Sequence, residues 1–103
     1  MDLIDGIREK IRYGQFEFSK HSVDRMIQRH ISVSEVRAAL VSGEVIEDYP
    51  DDKYGPSCLI FGFTDDKRAL HIQCSHPSRR LIKIVTVYEP NAGEWDDFRI
   101  RKR

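Results

Sequence analysis

The apolar residues of this chain change their spacing near Gly43, and that change decides its fold class. Before Gly43 they recur at helical intervals, and after it they alternate. Leu3, Ile4, Ile7 and Ile11 fall on one helical stripe, with Gly14 placed to end it in a left-handed conformation. Ser19 precedes a second stripe of Val23, Met26 and Ile27. Ser32-Val33-Ser34-Glu35 is a capping box, in which Ser32 and Glu35 each satisfy the other's free backbone N–H. It opens a third helix that directs Val33, Val36, Ala39 and Leu40 to the core and stops at Gly43. Phe16-Glu17-Phe18 reads equally as a short strand or an extended lead-in.

Glu44–Tyr49 begins the alternating part and ends at Pro50 and a turn-rich stretch. Ser57–Thr64 and Arg68–Ser75 form a hairpin around Asp65-Asp66-Lys67. Leu81–Tyr88 has the most β-branched residues and is expected at the sheet centre. The expected fold is α+β, with N-terminal helices packed on a three- to four-stranded antiparallel sheet. An even hairpin loop puts Leu59, Phe61, Leu70 and Ile72 on the core face. Cys58, Ile60, Gly62, Ala69, His71 and Gln73 then share the other face, where small residues beside His71 leave a shallow depression.

Composition narrows the class. The 103 residues suit one domain over 1–103, and 17 basic against 17 acidic residues give no net charge. That balance excludes nonspecific coating of nucleic acid, which needs excess Lys and Arg. It conceals an uneven distribution. Residues 1–55 hold 8 basic and 11 acidic side chains, net −3, and the remainder hold 9 and 6, net +3. No apolar run approaches the roughly 20 residues that span a bilayer, so no membrane partner is expected. Met1-Asp2-Leu3-Ile4-Asp5 has acids where a signal peptide needs bases, so a cytoplasmic location is expected. Cys58 and Cys74 then read as two buried free thiols, with a disulfide across neighbouring strands as the alternative. His21, His30, His71 and His76 lack zinc-site spacing, and neither a metal nor another cofactor is expected.

His21, Arg25 and Arg29 are spaced four apart and form a ridge on the second helix, suited to phosphate or carboxylate. Charged helix faces are common, and a solvated face with Asp24 as ion-pair partner is the blander reading. His71 lies mid-strand, where a histidine is most often a hydrogen-bonded structural group. Its alternative is acid or base chemistry, with Arg68, Arg79, Arg80 and Lys83 near it in sequence. In the basic tail, Trp95 and Phe98 are one helical turn apart and suited to docking it. A solubilising, frayed end is the commoner reading of such a terminus, and nucleic-acid contact the sharper one.

Several segments occur together in a recognisable order. They are Phe18-Ser19-Lys20-His21-Ser22-Val23-Asp24-Arg25-Met26-Ile27-Gln28-Arg29, Ile31-Ser32, Glu35-Val36 and Gly43-Glu44-Val45-Ile46-Glu47-Asp48-Tyr49-Pro50. Pro56-Ser57-Cys58-Leu59, Arg68-Ala69-Leu70-His71-Ile72 and Thr86-Val87-Tyr88-Glu89-Pro90 continue the series. This resembles the bacterial domain family catalogued as domain of unknown function 4258, over a core of about 18–90. Ala69 stands where that pattern commonly has proline, and Gln73 where it has an apolar residue. The family is similar in organisation to the RelE/ParE superfamily of small toxins, so the resemblance implies a RelE/ParE-like fold.

The resemblance also implies a type II toxin that cleaves RNA without metal and is neutralised by an antitoxin-like protein. RNA or the ribosome would be its target. Cleavage needs a base for the ribose 2′-OH, cations for the phosphorane and an acid for the leaving oxygen. His71 takes the first acid/base role, and His21 the second. Arg25 and Arg29 clamp phosphate, with Arg68 and Lys83 as further phosphate ligands and Tyr88 as a lesser candidate. The alternative is a non-catalytic protein-binding module of the same fold. Oligomeric state is left open by the sequence.

Overall fold

The computed structural model describes residues 2–102. Each helix begins where a short polar side chain replaces a missing backbone partner. Helix α1 (Leu3–Arg12) starts at Asp2, whose carboxylate accepts from the Asp5 N–H at 3.1 Å, and the chain leaves it through Gly14 at φ 68°. Helix α2 (Lys20–Arg29) starts at Ser19, which accepts from Ser22 N–H at 3.0 Å, and ends in a left-handed His30. Helix α3 (Val33–Ser42) carries the complete Ser32/Glu35 capping box. Ile7, Ile11, Met26, Val36, Ala39 and Leu40 enter the core, whereas Val23, Ile27 and Val33 stay exposed. The expected stripe of α2 is thus only partly inward. The helix turns Ser22 and Met26 inward instead.

The sheet has five strands: β1 (Phe16–Phe18), β2 (Glu44–Tyr49), β3 (Ser57–Phe63), β4 (Ala69–Ser75) and β5 (Ile82–Tyr88). Their spatial order is β1-β5-β4-β3-β2. This corrects the expectation of three or four antiparallel strands, because β1 lies parallel to β5 with Phe16 opposite Ile82. Phe16–Phe18 takes the strand option of the two its alternation allowed, but three residues are too few to reveal a parallel partner. The edge of β5 supplies the hydrogen bonds that fix it. Strand β5 is interior, but β4 occupies the middle. No described helix is long and apolar enough to cross a membrane.

The β3–β4 register reverses the expected faces of β3, while Leu70 and Ile72 of β4 stay on the core face and His71 and Gln73 on the other. Phe63 pairs with Ala69, so Phe61 stands opposite His71 and Leu59 opposite Gln73. Thr64 N–H donates to Arg68 O, Lys67 N–H donates to Thr64 O, and Lys67 adopts φ 66°. The left-handed Lys67 completes an odd-length loop, and one residue of parity exchanges every β3 side chain between faces relative to β4. Cys58, Ile60, Leu70, Ile72 and Cys74 therefore face the helices, with both cysteines free and buried. Gly62 shares that face, where α3 comes so close that an added Cβ would lie 1.9 Å from the Ala39 carbonyl oxygen. A register shift in β5 opposite Gln73–Cys74 keeps Ile84 and Val87 in the same core.

The C-terminal segment is a hairpin of β6 (Trp95–Asp96) and β7 (Ile100–Arg101), not a frayed end or a helical turn. It lies across the sheet face opposite the helices, with its Trp95 buried. Its turn holds Asp97 at φ 53° and Phe98 at φ 57°.

Candidate functional site

His71 projects from β4 to the face away from the helices, and its side chain is fully buried. Its Nε2 lies 2.7 Å from the carbonyl oxygen of Phe98, which can only accept, so Nε2 carries the proton. Nδ1 lies 3.1 Å from the Tyr88 hydroxyl and, in the neutral ring, accepts from it. The Trp95 ring stands edge-on at 4.5 Å, and Tyr88 and Phe61 flank the imidazole at 5.2 and 5.8 Å. Burial pushes the His71 pKa below its ordinary value, and outweighs the opposing pull of Phe98 O and Glu47. Tyr88 is raised, chiefly by burial. The structure thus places a neutral histidine of fixed tautomer beneath the hairpin.

Ionic contacts hold the hairpin in place. Arg99 Nε meets Glu44 at 2.6 Å, and its guanidinium lies 4.7 Å from the Phe61 ring centre. Arg101 grips Glu47 through two bonds of 2.9 and 3.1 Å and lies 4.6 Å from the Trp95 ring centre. Tyr49 donates to the same Glu47 carboxylate. Burial alone would raise Glu47, but Arg101 and Tyr49 outweigh it and hold the carboxyl below its usual range. Burial and Glu47 push the Tyr49 phenol up to about 12.

Of the other residues singled out in the sequence, Tyr88, Trp95 and Phe98 meet His71, whereas those on α2 and Arg68 do not. His21, Arg25 and Arg29 lie on α2, across the sheet from the imidazole. His21 is exposed, Arg25 bonds Gln28 at 3.0 Å, and Arg29 donates to the Val87 carbonyl at 2.7 Å. Arg68 is a structural clamp. It donates to the carbonyls of Arg29 and His30 at 2.8 Å, closing the end of α2, and meets Glu35 at 3.3 Å and Glu89 at 2.6 Å. Of the cationic candidates, Lys83 shares the outer face with His71 and Gln73. Its neighbours Ile82 and Ile84 turn into the core, and it borders a concavity with Gln73, Ser57 and Ser75.

The family model for "Domain of unknown function (DUF4258)" matches residues 18–89. The chain belongs to the DUF4258 family. In this DUF4258 protein the matched segment holds His71, Tyr88, Glu47 and Arg68, while α1 and the β6–β7 hairpin lie outside it. The group that closes over His71 therefore comes from beyond the matched core. No curated protein and no solved structure matches the chain.

Two features escaped the sequence reading. The enclosure of His71 depends on the odd loop and on a hairpin turn through Asp97-Phe98, where no glycine marks the left-handed residues. The other feature is His76. Its Nε2 lies 2.7 Å from Asp48 and 3.1 Å from the Ser57 carbonyl, beside a separate concavity of ≈ 690 Å³ that also reaches Lys10 and Glu9. Asp48 and His76 are 28 residues apart. Only the β2–β3 pairing and the turn after β4 bring them together.

Proposed function

We propose that this DUF4258 protein is a non-catalytic binding module, RelE/ParE-like in architecture, that associates with an antitoxin-like protein. The observation that carries this reading is the saturated ring of His71. A general acid or base must reach its substrate directly or through one water. Here Phe98 and Tyr88 occupy both ring nitrogens. Arg29 and Arg68 support the same reading, because their guanidinium groups bond carbonyls and acids of the fold. Val23 and Ile27 lie one turn apart on α2 and are 40% and 69% exposed, which gives a partner an apolar contact.

The test is induced expression, alone and with the product of the neighbouring gene. The module reading expects normal growth, intact RNA with and without ribosomes, and a stoichiometric complex that Ile27→Asp weakens. Growth arrest with RNA cleavage that His71→Ala abolishes would overturn it.

The RNA-cleaving reading has one observation in its favour, the shared outer face of Lys83, Gln73 and His71. In that reading the hairpin lifts, His71 exchanges the proton and Lys83 holds phosphate. His21, Arg25 and Arg29 stay on the far side of the sheet and take no part.

A further inference from the structure

The hairpin covers only one end of the outer face. At the other end, Ser57, Gln73, Ser75, Lys83, Arg79 and Tyr54 border a concavity of ≈ 460 Å³, within the usual range for small-molecule sites. We propose that this concavity binds a phosphate monoester of mononucleotide size. The site is separate from the partner-binding surface proposed on α2.

Several polar groups around this concavity remain free. Lys83 makes no side-chain hydrogen bond or ion pair among the described residues. Its backbone N–H donates to the Ser75 hydroxyl oxygen at 2.8 Å, which leaves the Ser75 O–H free to donate. Gln73 gives one N–H to Ser57 Oγ at 3.3 Å and retains the second. Among the described residues the Arg79 guanidinium pairs only with the half-exposed Glu17, at 4.0 Å. An ammonium, a guanidinium, a hydroxyl and an amide N–H are thus available around one small space.

The acid in the lining is already engaged. Asp52 accepts from Ser57 Oγ at 2.9 Å and from the Tyr54 N–H at 3.2 Å. Lys83 and Arg79 set two positive charges against the one carboxylate of Asp52, an excess that favours an anion. The three terminal oxygens of a monoester accept from more of these donors than the two of a diester. Tyr54 is 84% exposed at the rim and offers an aromatic ring to a nucleoside base. Backbone hydrogen bonds hold the strands that carry Gln73, Ser75 and Lys83, so the donor set needs little ordering on binding.

The test is an amide-NMR titration of the full chain with adenosine 5′-monophosphate, ribose 5-phosphate, inorganic phosphate, adenosine and an oligoribonucleotide without terminal phosphate. The three phosphates are expected to shift Gln73, Ser75 and Lys83 amides, with the nucleotide also moving Tyr54. Lys83→Gln and Arg79→Gln should each weaken nucleotide binding by about tenfold or more. Lys83 is at the surface of β5, and Arg79 lies in a loop, so one variant reports if the other misfolds. The proposal is overturned by the absence of shifts with any phosphate, or by unchanged affinity in both variants. Equal binding of adenosine would also overturn it, as would tighter binding of the unphosphorylated oligoribonucleotide, which would make the face an RNA-chain surface.

Discussion

The imidazole of His71, on the middle strand of the sheet, donates its Nε2 proton to the Phe98 carbonyl at 2.7 Å. A residue outside the matched family core thereby sets the tautomer of a residue within it. The bond also ties down a turn whose Asp97 and Phe98 both have positive φ. Such geometry costs a bulky residue roughly 1–2 kcal/mol and persists only where its surroundings hold it.

Trp95 is the apolar anchor of that hairpin, 5% exposed. Trp95→Ala should lower unfolding free energy by about 3 kcal/mol in a urea titration. It should also make the His71 ring accessible to an imidazole-modifying reagent. Wild-type stability with an unreactive His71 would contradict the anchoring role.

Burial sets the sign of the pH dependence. The folded-state pKa of His71 lies below its ordinary 6.5, so the unfolded chain binds the proton more readily. Stability from this group is full above pH of about 7, declines as pH falls through 6.5, and levels off below the lowered folded value. Glu35 and Glu47 have folded values below 4.5, so their contributions are lost only at lower pH. Urea titrations between pH 5 and 8, over about that window, should show the decline in wild type and a flatter profile in His71→Gln. Parallel profiles would contradict the buried neutral ring.

Arg68 joins the end of α2, the start of α3 and the end of β5 through carbonyls and carboxylates. Its side chain is 24% exposed and Glu89 is 54% exposed, so solvent screens their ion pair. Arg68→Ala should cost roughly 1–3 kcal/mol through the lost carbonyl bonds. The Arg68–Glu89 coupling in a double-mutant cycle should stay under about 1 kcal/mol. Coupling equal to the whole Arg68→Ala loss would assign the clamp to the ion pair.

Gly62 and Gly14 separate close approach from backbone strain. At Gly62 a Cβ would meet the Ala39 carbonyl oxygen at 1.9 Å and force α3 from the sheet, so Gly62→Ala should cost about 3 kcal/mol or more. Gly14 faces open space at φ +68°, and Gly14→Ala should cost only about 1 kcal/mol of left-handed strain. Equal losses in thermal unfolding would contradict this packing.

Local rules made much of the fold legible. The capping box at Ser32–Glu35, the Ser19 cap and the left-handed Gly14 all occur where side-chain chemistry places them. Long-range parity was less legible. Lys67 gave no glycine signal for its left-handed turn, and the resulting register put Phe61 rather than Ile60 beside His71. Spacing on α2 correctly grouped His21, Arg25 and Arg29 on one element, but it carried no information about which sheet face that element covers. Enclosure of His71 needed Trp95 and Phe98 to return from 24 and 27 residues away, beyond the reach of any local pattern.

The direct test of the central claim is a nitrogen-15 NMR titration of the His71 ring in the full chain. The structure predicts a neutral Nε2–H tautomer, a slowly exchanging Nε2 proton and a midpoint below the ordinary 6.5. A rapidly exchanging ring that titrates at or above 6.5 would mean that the hairpin leaves His71 open to acid–base chemistry, and would contradict the binding-module account.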